Sequence, residues 1–337
     1  MRDLGRDARS VLAAIERGMK NHYLVPTALI AKFARMNLQN LKYHMSEIHR
    51  KKLVYHENKA YDGYRLTYRG LDALAINCLV ERGSLASFGM IIGKGKESDV
   101  YLGTGGPKSS TVVVKIHRLG RVSFTKAREK RDYYSGDRPS SWMFISKLAA
   151  QKEYNHLRAL HGRDFPVPQP IDSNRHIVVM EYKPYSLLNH VQTLNKPKRT
   201  FVEIVNLVNR FLANGIVHCD LNEFNLLINV DTGELTVIDF PQIISAKHPD
   251  ARFMVERDLE CVRRFFQKRF KKSYNVTADF SLLPTNDDKI SNDETNLGVL
   301  LKLSGYSNQK RDDEYRRYRE DILRAESQWQ DAIDKGL

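Results

Sequence analysis

His218-Cys219-Asp220-Leu221-Asn222-Glu223-Phe224-Asn225, then Leu226-Leu227-Ile228, a polar turn at Asp231-Thr232-Gly233, and Leu235-Thr236-Val237-Ile238-Asp239-Phe240, form the stretch on which the reading of this chain turns. Two short apolar runs flank a Thr-Gly turn, so they are predicted to pair as a hairpin. That hairpin brings Asp239 back toward Asp220 and Asn225. Transfer of a phosphoryl group needs a carboxylate that orients or deprotonates the acceptor, and at least one metal ion held by oxygen ligands against the phosphates. Asp220 suits the first role; Asn225 and Asp239 suit the second. Asn and Asp beside a turn are often only turn formers. A second carboxylate closing an apolar strand, placed to reach a shared ligand, favours a site.

The pattern H-x-D-L-x-x-x-N is shared with protein kinases, which directs the search upstream. After Phe88-Gly89-Met90-Ile91-Ile92 comes Gly93-Lys94-Gly95-Lys96-Glu97-Ser98-Asp99-Val100-Tyr101. A glycine pair lets backbone amides approach phosphates without a Cβ in the way, so Gly93 to Ser98 (Gly93, Lys94, Gly95, Lys96, Glu97, Ser98) form the candidate phosphate loop. Val100 falls where the kinase pattern places its adenine-covering residue. A strand rather than a helix follows, which excludes the dinucleotide fingerprint. Val112-Val113-Val114-Lys115 matches the kinase strand whose lysine meets the α- and β-phosphates. Its carboxylate partner is expected on a helix over 146–159, with Glu153 the choice and Glu97 the fallback. Ile177-Val178-Val179-Met180-Glu181-Tyr182 is expected to enter a hinge, the backbone around Glu181 and Tyr182 reading the adenine edge and Met180 lining the pocket behind. Only 19 positions separate Asp239 from Asp258, too few for an activation segment. Asp258 is expected either to carry charge at the start of an apolar helix or to brace the catalytic loop.

The front of the chain has a different character. Val11, Leu12, Ile15 and Met19 recur at helical spacing; Pro26 opens a second helix, and a third runs from Leu38 to Lys51. Leu53-Val54-Tyr55 and Tyr64-Arg65-Leu66 flank a turn, and Thr67 can cap a fourth helix through Leu74. Three helices, a hairpin and a helix is the order of a winged helix-turn-helix, a module that contacts nucleic acid or docks proteins. With 42% apolar residues and 337 positions the chain holds enough core for two domains, and a formal charge of +14 favours an anionic partner. A segment over 118–145 is dense in Lys and Arg with Phe124, Tyr133 and Tyr134 interleaved, reading as a flexible loop or an RNA-docking surface. Cys78, Cys219 and Cys261 form no C-x-x-C or zinc pattern. With no apolar leader and no run of roughly 18 apolar residues, a soluble protein with no membrane contact is expected. Residues 277–296 read as polar loop, and a last helix places Tyr315, Tyr318, Ile322, Ala325 and Trp329 on one stripe.

With these residues assembled, the chain resembles the RIO family of atypical serine/threonine protein kinases, most closely its second, winged-helix-containing subfamily. The phosphate loop, His218 to Asn225, Ile238 to Gln242 and the N-terminal module carry the likeness. The resemblance implies an α+β fold, an N-terminal winged helix-turn-helix followed by a small bilobal protein-kinase-like domain lacking the activation segment. The expected domains are 1–85, an N-lobe over 86–182 and a C-lobe over 183–337. It also implies ATP and magnesium (Mg2+) as cofactors, Asp220 as catalytic aspartate, Asn225 and Asp239 as metal ligands, and Lys115 as the phosphate-pairing lysine. A role in late cytoplasmic maturation of the small ribosomal subunit is implied, with its precursor particle as partner and shuttling through the nucleus. Cys219 stands where kinases carry an arginine, and Asn222 where Ser/Thr kinases carry a lysine, so phosphorylation of proteins in trans is not expected. Asp239 is instead expected to accept the phosphoryl group itself, ATP turnover switching association with the particle. Two other readings of the same motifs are an aminoglycoside-type small-molecule kinase and a non-catalytic RNA-binding scaffold.

Overall fold

The computed structural model describes residues 4–58, 61–106, 109–119, 142–240, 243–283 and 297–301. These fall into two compact units, one ending at Arg82 and one beginning at Gly83. In the first, α1 (Arg6–Gly18), β1 (Val25–Pro26), α2 (Thr27–Ala34) and α3 (Leu38–Arg50) precede β2 (Val54–Asn58), β3 (Asp62–Leu66) and α4 (Tyr68–Glu81). Val11, Leu12 and Ile15 of α1 and Leu41 and Ile48 of α3 are fully buried, as their spacing requires. Asn37 caps α3 by accepting the Asn40 N–H at 2.8 Å, and Thr67 caps α4 through the Gly70 N–H at 3.2 Å. Gly70 admits no side chain, because a Cβ there would stand 2.1 Å from the Leu53 carbonyl oxygen.

Two features of this unit differ from the sequence expectation. The hairpin gains a third strand, β1, which pairs with β3 through Val25 and Tyr64. Helix α4 continues past Leu74 to Glu81, because Ala75, Ile76 and Leu79 extend the same buried surface.

The second unit opens with β4 (Ser87–Lys94), β5 (Ser98–Gly105) and β6 (Ser110–His117). Helix α5 (Trp142–His161) follows, and β7 (Pro170–Asn174) and β8 (Ile177–Glu181) complete an antiparallel sheet of order β4-β5-β6-β8-β7. Register aligns Val100 with Lys115 and Lys115 with Val178, and α5 packs across β6, β7 and β8. Edge strand β4 leaves Phe88, Met90, Ile91 and Ile92 exposed.

Beyond the sheet lie β9 (Ser186–Leu187), α6 (Pro197–Ala213), β10 (Ile216–Val217), β11 (Leu226–Ile228), β12 (Leu235–Val237), β13 (Ile244–Ser245) and α7 (Ala251–Phe270). Pro197 starts α6, where its missing N–H costs nothing. Phe201, Phe211, Phe240 and Phe266 fill the core between α6, α7 and the β11–β12 hairpin. Between Asp239 and α7 the described chain holds only β13, so the fold is a winged-helix unit plus a two-lobed kinase-like unit without an activation segment.

The basic segment predicted over 118–145 is only partly described. Arg118 and Leu119 are buried and residues from Trp142 onward belong to α5, so both ends of the supposed loop are ordered by packing. Residues 120–141, Pro241-Gln242, most of the 277–296 loop and the stripe from Tyr315 to Trp329 lie outside the described residues. Among the described residues no helix is long and apolar enough to cross a membrane.

Candidate functional site

The catalytic loop is held by its own amides. Asn225 Nδ2 donates to the Asp220 carbonyl at 2.8 Å and to Asp220 Oδ2 at 3.2 Å, and Asn222 Nδ2 donates to Asp220 Oδ1 at 3.1 Å. Leu226 pairs with Val237 across the hairpin, and the Ile238 N–H reaches the Asn225 carbonyl at 3.0 Å. This places Asp239 beside the loop that carries Asp220 and Asn225. Cys219 and Asp239 adopt left-handed backbone, φ 63° and 68°, a conformation that costs a side-chain-bearing residue on the order of 1 kcal/mol or more and gathers at functional sites. His218 is buried; burial pulls its imidazole down to about 4, and its Nδ1 accepts the Asp220 N–H at 3.3 Å as a neutral ring should. The buried Cys219 thiol is pushed up to about 12, so it stays neutral where kinases place an arginine.

Lys115 reaches the same place from β6. Its Nζ donates to Glu153 Oε1 at 2.7 Å and to Asp239 Oδ1 at 2.8 Å, which settles the partner as Glu153 of α5 rather than Glu97. Burial alone would lower the lysine, but Asp239 and Glu153 hold it above its ordinary value. Burial alone would raise Glu153, but Lys115 and His117 bring it down to about 2. His117 Nε2 lies 2.8 Å from Glu153 Oε2, so a carboxylate that is only 2% exposed has a nitrogen facing each of its oxygens, Lys115 on one and His117 on the other. His156 of α5 meets the Phe240 carbonyl at 2.9 Å, tying that helix to the Asp239 turn.

Asp220, Asn225 and Asp239 offer hard oxygen donors, and none of the described hydrogen bonds uses the Asn225 amide oxygen. Among the described residues no group of three or more His, Cys, Asp or Glu is arranged to hold a metal ion without other ligands. Magnesium fits such a set, since it takes one or two protein carboxylates and leaves its other positions to phosphate and water.

The phosphate loop and hinge are placed less simply than the motif suggests. Gly93 and Lys94 end β4, Gly95 and Lys96 form the turn, and Glu97 leads into Ser98 and Val100 on β5. The Gly95 N–H is spent inside the turn on the Ser98 carbonyl at 2.8 Å, and so does not face a phosphate. The turn is also pinned from behind: the Arg118 N–H donates to the Glu97 carbonyl, and Arg118 Nε reaches the buried Asp99 carboxylate at 3.4 Å. Sequence reasoning gave Asp99 and Arg118 no role. A charged residue inside the apolar register of β5 was the signal that it needs a buried partner. Met180 is buried behind the sheet, while the Glu181 N–H goes to the Gln169 carbonyl at 2.8 Å. That N–H is therefore not open to an adenine edge, while Tyr182 lies half-buried just past the strand end.

Asp258 does not open a helix. It is the buried eighth residue of α7, accepting the Leu221 backbone N–H, and its neighbour Arg257 donates from Nη2 to the Cys219 carbonyl. These two residues brace the catalytic loop. Burial raises the Asp258 carboxyl from 3.8 to about 6. A carboxyl raised on folding favours the folded chain while protonated, so its contribution is full below about pH 4 and lost as pH rises through about 6. Asp258→Asn keeps an uncharged acceptor. It is expected to remove up to about 3 kcal/mol of the stability decline between pH 4 and 7. Urea unfolding of both chains across that range reads this, and equal slopes would refute it.

Comparison with known proteins follows this geometry. A family model described as the RIO domain matches residues 99–279, and one described as the Rio2 N-terminal domain matches residues 1–82. The serine/threonine-protein kinase rio2 of Schizosaccharomyces pombe is 38% identical over 324 residues, covering 95% of this chain and 91% of that protein. The Dictyostelium discoideum kinase of the same name is 43% identical over 270 residues; the matched region is 80% of this chain and about half of that longer protein, 51%. The crystal structure of a Rio2 kinase–ADP/Mg2+–phosphoaspartate complex from Chaetomium thermophilum superposes with a TM-score of 0.76 at 34% identity, covering 98% of each chain.

Proposed function

Because this chain belongs to the RIO kinase family, on its Rio2 branch, we propose that it is an ATP-dependent phosphotransferase and ATPase in which Asp239 receives the phosphoryl group. The observation that carries this reading is the Lys115 amine gripping Asp239 and the buried Glu153 at once, beside Asp220 and Asn225. An Asp239 oxygen attacks the γ-phosphorus, the bond to the bridging oxygen breaks, and ADP leaves with the electron pair. A water oriented by Asp220 then hydrolyses the acyl phosphate; its proton passes to Asp220, and phosphate and the free Asp239 carboxylate are regenerated. Asn225 and Asp239 would hold magnesium, which would supply charge neutralisation. Lys115, drawn toward the α- and β-phosphates, would release the Asp239 oxygen it now holds.

Three features support an internal acceptor. The described residues between Asp239 and α7 hold no activation segment to seat a peptide, Cys219 offers no cation for a regulatory phosphate, and a relative of 34% identity was crystallised with phosphoaspartate. The metabolite-kinase reading rests on the shared H-x-D-x-x-x-x-N pattern and a short C-terminal lobe, neither of which provides an internal acceptor.

The partner we propose is the precursor of the small ribosomal subunit in the cytoplasm, with ATP turnover controlling attachment. A charge of +14 and the exposed face of α3, with Leu38, Lys42 and Tyr43, support contact with RNA. Co-sedimentation with precursor particles tests it. The wild type is expected to dissociate on addition of ATP and Asp239→Asn to remain bound; release of both alike would refute the cycle.

A further inference from the structure

A groove of about 680 Å3 runs between the catalytic loop and α7, with Asn222, Glu223 and Phe224 on one wall and Arg264, Lys268 and Arg269 on the other. Phe224 is 57% exposed although Leu221 and Asn225 on either side of it in the loop are buried. Its backbone N–H is held by Asn222 Oδ1 at 2.9 Å, which fixes the loop so that the ring stands out of it. Core packing does not explain this ring. The last turns of the facing helix and the two residues after it read Arg263-Arg264-Phe265-Phe266-Gln267-Lys268-Arg269-Phe270-Lys271-Lys272, six cations in ten positions and no acid. Arg264 and Lys268 stand one turn apart on the same exposed face. Arg264 shares Glu260 at 2.9 Å, and Arg269 is tied to the Asn189 carbonyl at 3.0 Å and to Gln192 at 2.8 Å, which stiffens the end of the groove.

We propose that this groove binds single-stranded RNA, one base stacking on Phe224 while the phosphates follow Arg264 and Lys268. A cationic track beside an exposed ring is the arrangement that holds single strands without reading their sequence. An acidic peptide would use the cations but leave the ring without a stacking partner, and its acidic side chains offer no donor to the Glu223 carboxylate beside it. That same carboxylate can accept a 2′-hydroxyl, which deoxyribose lacks. The inference extends the proposed RNA partnership and does not depend on phosphoryl transfer. It does place the RNA against the loop that carries Asp220 and Asn225.

The full-length chain carrying Phe224→Trp, with wild type subtracted for its two native tryptophans, reports stacking at this ring alone. Short oligouridylate is expected to quench the new fluorescence saturably at low salt, with oligodeoxythymidylate weaker and polyglutamate without effect. Adding Arg264→Glu and Lys268→Glu, both exposed positions, is expected to weaken the quench at least ten-fold. No quench, equal quench by the DNA or by polyglutamate, or indifference to the two charge reversals would overturn the proposal. Turnover measured on the same samples keeps its failure separate from failure of the phosphoryl-transfer reading.

Discussion

Incubated with magnesium and ATP labelled at the γ-phosphate, the wild-type chain is expected to acquire label on Asp239 that hydroxylamine and mild base remove, and Asp239→Asn is expected to acquire none. An acyl phosphate is an activated carbonyl compound, so a strong nucleophile cleaves it where phosphoserine survives. The asparagine variant nearly preserves shape: it occupies left-handed backbone more readily than alanine and can still accept a hydrogen bond from Lys115, but its amide cannot form the acyl phosphate. Steady ATP turnover is expected to fall with the label, to background. Full labelling of the asparagine variant, or label stable to hydroxylamine in the wild type, would remove Asp239 from the acceptor role.

The second large effect is at Asp220. Its carboxylate accepts amide hydrogens from Asn222 and Asn225 and is half-buried, so the loop aims it rather than sequestering it. Asp220→Ala is expected to lower turnover by about 10²-fold or more, the usual contribution of a positioned acid-base group. The label on Asp239 separates the two steps that Asp220 could serve. Label that persists longer in the variant assigns it to hydrolysis of the acyl phosphate, and absence of label assigns it to transfer. Turnover within a few-fold of wild type would refute both.

Most of this site was legible because its parts are local. His218 to Asn225 is a contiguous loop, Asp239 follows on a short hairpin, and a lysine at the end of an apolar strand needs a carboxylate that a helix such as α5 can supply. The contacts that escaped notice join positions far apart in sequence or turn on single backbone hydrogens. Nothing in Ile177–Glu181 indicates that the Glu181 amide is taken by Gln169, and nothing in the glycine loop indicates that the Gly95 amide closes its own turn. Strand β1 was missed because two residues, one of them proline, have no periodicity. Asp258 was ambiguous because Ala251 and Val255, the residues that begin α7 ahead of it, are too few and too spaced to mark a helix by themselves. In the winged unit the order of helices and hairpin is legible, β1 apart, but α4 reads short, where Asn77 and Cys78 interrupt an otherwise apolar face.

The three thiols differ in a way that serves the bench. Cys219 is sealed behind the catalytic loop with its proton held until about 12, Cys78 is half-buried, and Cys261 is exposed on the rim of the groove beside Phe224. A maleimide dye at neutral pH should therefore attach first to Cys261, leaving the loop chemistry intact. The chain carries its own anchor point for a distance probe at the place where a bound strand would report itself.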